Sequence, residues 1–198
     1  MNVGKNPAPA CGLRTVLAFF FCVVCIIGCD SDRSGIYPGE VAPNIIGVEP
    51  RSGEQLALHE VNGDVVLVNF WATWCAPCIQ ELPALQRFYD EVKGQGITVV
   101  GIAVNDSLPL VKETIATYNL TFPMILDDNG KSKRKYELRG FPESFVLDRD
   151  HRVLVVPDPA EGSLVTKIVG PRNWAHPSTV GLFTKVRKDI TSHDSNTP

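Results

Sequence analysis

The sequence predicts an α/β fold: a central mixed sheet flanked by helices, with an N-terminal hairpin extension. Three observations predict it. Val65–Trp71 and Ile97–Val104 are continuous apolar runs bounded by turn residues, the pattern of strands buried on both faces. Between them Cys78, Leu82, Leu85, Tyr89 and Val92 recur at helical spacing. Further along, short strand-like pieces follow one another and close on an amphipathic helix, the order expected of a sheet sandwiched between helical layers. With 198 residues, 44% of them hydrophobic and 21% charged, the chain is long and apolar enough for one full core.

The elements follow in order. Lys5 and Arg14 precede an apolar run of 14 residues, Thr15–Gly28, that stops abruptly at Cys29-Asp30-Ser31-Asp32. A helix spanning a bilayer needs about 20 residues, so the run reads as an export signal over residues 1–28. Ile26-Ile27-Gly28-Cys29 resembles a bacterial lipobox, which implies cleavage before Cys29 and lipidation of that residue. A short uncleaved anchor and a secretory signal cut elsewhere are the alternatives, and all three place the rest outside the cytoplasm. Residues 29–43 hold Gly35, Pro38, Gly39 and Pro43 without apolar periodicity and read as a flexible tether. Ile45-Ile46 and Leu56-Ala57-Leu58 suggest the N-terminal hairpin.

After the helix that carries Cys78, Gly94 and Gly96 mark its end. Ser107 is a candidate N-cap for a second helix with Leu108, Val111, Ile115 and Tyr118 on one face. Met124-Ile125-Leu126 reads as a short strand, and Lys131, Lys133, Arg134 and Lys135 as a solvated cationic face. Ser144–Asp148 and Arg152–Val156 look like two strands joined by a turn at 148–151, with Pro157–Gly162 a loop and Leu164–Val169 a further strand. Ser178–Ile190 is the closing helix, carrying Thr179, Phe183, Val186 and Ile190 on one face, and residues 191–198 are a polar tail.

Six cysteines suggest a disulfide framework until the signal is subtracted. Cys11, Cys22 and Cys25 leave with it, and lipid consumes Cys29. Cys22-Val23-Val24-Cys25 has redox spacing but lies inside the apolar run without a turn, so it reads as packing. The domain keeps Cys75 and Cys78. A bridge across so short a loop adds little chain-entropy stabilisation, which favours a reactive pair over a structural clip. Zinc needs four ligands, usually from two such pairs, and no second pair remains; no metal is expected. A net charge of −3 with no basic stripe excludes nucleic-acid binding.

Cys75 follows a buried strand and precedes a helix, where free N–H groups and the positive dipole end favour a thiolate. It is expected to be the exposed nucleophile, and Cys78, on the buried stripe, the resolving thiol. Pro77 suits the first helical turn and stiffens the ring. Glu81, three residues beyond Cys78, comes round to the same side of the helix and is the candidate proton acceptor. Asn69 cannot titrate, and Pro83 inside the helix predicts a kink. Trp71 and Trp74 read as packing and lid around the sulfurs. Glu143 reads equally as a partner contact or an exposed acid. His59, His151, His176 and His193 are scattered in loops and the tail, which gives a cysteine–histidine hydrolase no support.

Phe70-Trp71-Ala72-Thr73-Trp74-Cys75-Ala76-Pro77-Cys78 resembles the active-site segment of thioredoxin-fold proteins. The continuation Ile79-Gln80-Glu81-Leu82-Pro83 resembles the membrane-anchored TlpA/ResA/CcmG(DsbE)-like branch, with W-C-x-P-C-x-x-E-x-P, and the likeness spans about residues 44–190. It implies a thioredoxin-like domain with a redox-active Cys75–Cys78 disulfide and no other cofactor. Phe141-Pro142 would be a cis-proline bond facing the cysteines, and Gly140–Phe145 resembles the CcmG form. Asn69 stands where thioredoxins carry a buried aspartate. The implied role is a thiol–disulfide oxidoreductase that keeps exported thiols reduced, among them the haem-attachment cysteines of apocytochrome c. Electrons would come from a membrane reductant of the DsbD/CcdA type. A disulfide oxidase or isomerase, and a non-redox module that holds apocytochrome or haem, are the alternatives; a thiol peroxidase has little sequence support.

Overall fold

The computed structural model describes residues 36–194, besides Met1. The signal segment, the lipidation candidate Cys29, the tether as far as residue 35 and residues 195–198 lie outside the described residues. The order is β1 (Ile46–Val48), β2 (Gln55–Ala57), β3 (Val65–Trp71), α1 (Ala76–Val92), β4 (Ile97–Val104), α2 (Leu108–Thr117), β5 (Met124–Asp127) and α3 (Lys131–Lys135). Then come β6 (Glu143–Asp148), β7 (Val156–Pro157), β8 (Leu164–Val165), β9 (Ile168–Val169) and α4 (Pro177–Asp194).

Seven strands form one mixed sheet in the order β2-β1-β5-β4-β3-β6-β9. β3, β4 and β5 are parallel, while β6 and β9 on one side and β1 and β2 on the other run antiparallel to their neighbours. The crossovers β3-α1-β4 and β4-α2-β5 step the same way along the sheet. Right-handed connection therefore places α1 and α2 on one face. β3 lies between β4 and β6 and all seven of its residues are buried, which is why it reads as an unbroken apolar run.

Alternation along β3 divides the core. Val65, Leu67 and Trp71 pack with Leu82, Leu85, Phe88 and Val92 of α1, Val111 and Ile115 of α2, and Phe183 of α4. Val66, Val68 and Phe70 join Val100, Ile102, Phe145 and Leu147 under Ile45, Leu58, Tyr136 and Leu138 on the opposite face. Each fully buried Leu, Val or Phe contributes about 1.5–3 kcal/mol of transfer free energy. The hairpin β1–β2 docks through Gly47, where a Cβ would fall 2.2 Å from the Leu126 carbonyl oxygen. Only glycine permits that approach.

The structure alters several expected boundaries. The tether ends before residue 43: the Gly39 N–H donates to the Val153 carbonyl at 2.8 Å, the Ala42 N–H to that of His151 at 2.8 Å, and Ala42 is buried. Arg152–Val156 is not one strand. Arg152 and Val153 make isolated bridges, and Val156 with Pro157 pairs with β8 in a separate two-stranded ribbon. Leu164–Val169 likewise splits between that ribbon and the main sheet, because Thr166 and Lys167 turn the chain from one partner to the other. α4 continues through Asp194, so the first four residues of the expected tail are helical. The buried stripe of α1 runs through Phe88, with Tyr89 only partly buried, and the helix continues through Pro83 without a break.

Candidate active site

Cys75 and Cys78 are joined as a disulfide, with Cα atoms 5.3 Å apart. Cys75 is the N-cap of α1, in an extended conformation, and its Sγ accepts from the Cys78 N–H at 3.3 Å. The helix start thus supplies one of its free N–H groups to sulfur, as it would to a thiolate. Pro77 occupies the first turn, where it gives up no helical bond. Cys78 is fully buried, and Cys75 is only 6% exposed rather than openly accessible. Little of Cys75 is therefore left to solvent.

Two loops hold the residues just before Cys75. Asp106, just beyond β4, accepts from the Thr73 N–H at 2.6 Å and from its hydroxyl at 2.9 Å, which fixes the residues leading into Cys75. On the other side, Phe141-Pro142 is a cis peptide bond. Phe141 packs edge-on against Trp74 with ring centroids 5.6 Å apart, so this loop reaches the residue next to Cys75. The Gly170 N–H donates to the Pro142 carbonyl at 2.9 Å. Trp74 is 62% exposed, while Trp71 is buried and its Nε1 donates to the Met124 sulfur at 3.2 Å. The two tryptophans therefore differ: Trp71 packs the core and Trp74 stands at the surface beside the disulfide.

Glu81 lies one turn beyond Cys78 and is 4% exposed. Side chains on β3 alternate, so Asn69 faces α1, where its Nδ2 donates to Glu81 Oε1 at 2.9 Å. Glu81 Oε2 accepts from the Arg172 backbone N–H at 3.0 Å and from Trp174 Nε1 at 3.1 Å. Burial raises the Glu81 carboxyl above its ordinary range, against the opposing pull of these three donors and the nearby Arg172 charge. Burial is the larger of the two influences, so the net effect is upward.

The segment that supplies two of those donors is itself clamped. Arg172 Nε and Nη2 donate to the two carboxylate oxygens of Asp158 at 3.0 and 2.6 Å, and its Nη1 donates to the Gly170 and Pro171 carbonyls. Although burial opposes it, Arg172 and the N–H groups of Ala160 and Glu161 hold the Asp158 carboxyl below its usual range. Trp174 is seated by Phe88 and Phe183, with ring centroids 6.3 and 6.2 Å away.

Glu143, next to the cis-proline, is 2% exposed and paired with Lys167 Nζ at 2.9 Å, which overturns the reading of an exposed acid. It also accepts from the Arg139 N–H, and Lys167 donates to the Glu137 carbonyl, so the pair ties down the loop before Phe141. His59 and His151 stack on each other with centroids 4.7 Å apart, each with Nε2 on a backbone carbonyl, and His176 bonds Ser178. The sequence reading missed Arg172, Trp174, Ser144 and Asp158. They lie 63–93 residues from Glu81, and no local spacing joins them to it. Among the described residues no group of three or more His, Cys, Asp or Glu side chains is placed to hold a metal, and no helix is long and apolar enough to cross a membrane.

Comparison with known proteins agrees with this chemistry. A family model described as the AhpC/TSA family matches residues 38–156. The chain is 30% identical to the thiol-disulfide oxidoreductase ResA of a Bacillus cereus strain over 140 residues, 71% of this chain and 74% of that protein. It is 31% identical to ResA of Bacillus subtilis (strain 168) over 124 residues, 63% and 69% of the two chains. A solved thiol:disulfide interchange protein of the thioredoxin family from Chlorobium tepidum TLS is similar with a TM-score of 0.53 and 29% identity, covering 78% of this chain and 97% of its own.

Proposed function

We propose, from the premise that this chain belongs to the AhpC/TSA family and within it to the ResA-like thiol–disulfide oxidoreductases, that it reduces disulfides of exported proteins. The observation that carries the reading is a disulfide at a helix N-cap with a buried carboxyl, its pKa raised by that burial, one turn further on.

In the reduced enzyme the Cys75 thiolate attacks one sulfur of a client disulfide, and the client sulfur that leaves takes up a proton. The Cys78 thiol then gives its proton to the Glu81 carboxylate and attacks Cys75 Sγ. That step closes the Cys75–Cys78 bridge and expels the second client sulfur, which also becomes a thiol. Two electrons pass from the enzyme to the client; one of the client's two protons comes from water and the other is the Cys78 proton handed on by Glu81, and the enzyme is left oxidised with Glu81 a carboxylate again. The cis-proline loop and Trp74 line the approach to Cys75. A membrane reductant of the DsbD/CcdA type would return the electrons.

The N-terminal sequence supports an exported lipoprotein anchored through Cys29 and facing the periplasm or equivalent space. Apocytochrome c haem-attachment cysteines are the client class that the sequence likeness favours. A Cys78→Ser variant expressed in cells should strand clients as mixed disulfides on Cys75, and their identity tests the client class. The reduction potential of the pair, measured against glutathione, tests the direction. A value well above about −200 mV would make the protein an oxidase or isomerase instead. If Cys75→Ala leaves cytochrome c maturation intact, the thiols are incidental and a binding role takes their place.

A further inference from the structure

Asn69 is the one polar residue of β3, and it is fully buried. Its Nδ2 has two N–H bonds to give and two acceptors in reach: Glu81 Oε1 at 2.9 Å and Ser144 Oγ at 3.0 Å. Strand register places Ser144 directly across from it on β6. Its other amide atom, Oδ1, is buried with no hydrogen-bond partner. A buried carbonyl without a donor is costly and calls for an explanation.

The surroundings of Glu81 give the unbonded atom a use, although the reversed amide leaves its NH2 in the same unpartnered place. In the arrangement described, every group touching the carboxyl is a donor: Asn69 Nδ2, the Arg172 backbone N–H and Trp174 Nε1. That set suits a carboxylate and opposes a carboxylic acid, whose O–H needs an acceptor. A backbone N–H and an indole N–H cannot be reversed. The Asn69 amide can, by half a turn about its terminal torsion, a soft coordinate for this side chain. After the turn Oδ1 occupies the place of Nδ2. Its two lone pairs then meet the same two partners, Glu81 Oε1–H and the Ser144 hydroxyl, which can donate as readily as accept. The charged groups nearby are already engaged, Arg172 with Asp158 and Lys167 with Glu143, so neither competes for the proton.

We infer that Asn69 is a positioning residue that follows the proton on Glu81: its amide presents Nδ2 to the carboxylate and Oδ1 to the acid, and the Ser144 hydroxyl reverses with it. The inference rests on Glu81 taking the Cys78 proton as proposed above. One proton moves from Cys78 Sγ to Glu81 Oε1, no electrons move with it, and the amide rotation leaves every other bond of Glu81 in place. Asparagine meets the requirement because it carries a donor and an acceptor on one reversible group. Aspartate would set a second carboxyl 2.9 Å away to share the proton, and an aliphatic residue could bond neither form.

The test follows the Asn69 side-chain amide by 15N NMR in the full chain, identified by its absence from an Asn69→Leu variant. Between about pH 5 and about pH 9 its resonances should move with the midpoint of the Glu81 carboxyl 13C signal. In Glu81→Gln, whose own NH2 demands an acceptor, they should rest at the low-pH position and not titrate. An Asn69 amide that ignores pH in the wild type, or titrates equally in Glu81→Gln, overturns the inference. Kinetics give a second reading that a loss of folding cannot imitate. In Asn69→Leu both forms of Glu81 lose a bond, and because the charge-assisted one to the carboxylate is the stronger, the closure of the bridge should slow severalfold on the acid side with the alkaline rate kept. A uniform loss at every pH would leave Asn69 a merely structural residue. If Glu81→Gln closes the bridge at the wild-type rate throughout, the proton role of Glu81 fails first; if only the amide fails to follow, Glu81 keeps its role and the inference alone falls.

Discussion

Cys75 and Cys78 carry identical side chains in unequal places: one caps a helix at the rim, the other is sealed in the core against Glu81's side of α1. Glu81 makes that inequality depend on pH. Its carboxyl is raised by burial, so the folded state holds this proton more tightly than the unfolded chain does. The resulting stability is complete below the unfolded pKa and is lost as pH rises through the folded one. Relative to Glu81→Gln, the wild type should therefore lose melting temperature as pH rises from about 4 to about 8. Between the two ends the difference in stability should change in favour of the variant. Calorimetry at both ends checks this, and parallel curves would remove the buried ionisable carboxyl from the account. Cys75, Pro77, Cys78 and Glu81 were legible in the sequence because they lie within two helical turns, where spacing fixes their relations. The partners of Glu81 were not: Trp174 reads as one more core aromatic until the fold brings its Nε1 to a carboxylate.

At the scale of elements, strands with two covered faces and helices with an apolar stripe declared themselves, from Val65–Trp71 to the closing helix. The pieces that failed are those shorter than their own periodicity. β7, β8 and β9 hold two residues each, and only their partners define them. Glu143 reads differently in the fold for the same reason, since it pairs with Val169 of β9 and its cation Lys167 lies on the turn between β8 and β9. The ribbon β7–β8 matters to the site because Asp158, just after β7, grips Arg172. Arg172→Met leaves Asp158 buried without its cation and should cost about 3 kcal/mol in urea unfolding. The same variant should loosen the 170–174 segment and shift the pH dependence of bridge closure. An unchanged profile would separate the clamp from the chemistry.

Among the described residues the main sheet carries a core on each face, and the redox machinery belongs to one of them. Cys78, Trp71 and Trp174 share a cluster with α1 and α4, while Phe70, Phe145 and Leu147 fill the opposite face. Leu147→Ala should cost about 2–5 kcal/mol and leave the pH profile of disulfide reduction where it was. Phe183→Ala should cost a similar amount and move the profile, because the ring it removes seats Trp174. Paired denaturation and stopped-flow measurements on the two variants decide the matter; identical profiles would mean that the cores are not separate in function. The division has a consequence for descent. A lineage can trade residues on the far face to suit a warmer or colder habitat while the proton chemistry on the near face passes through unaltered.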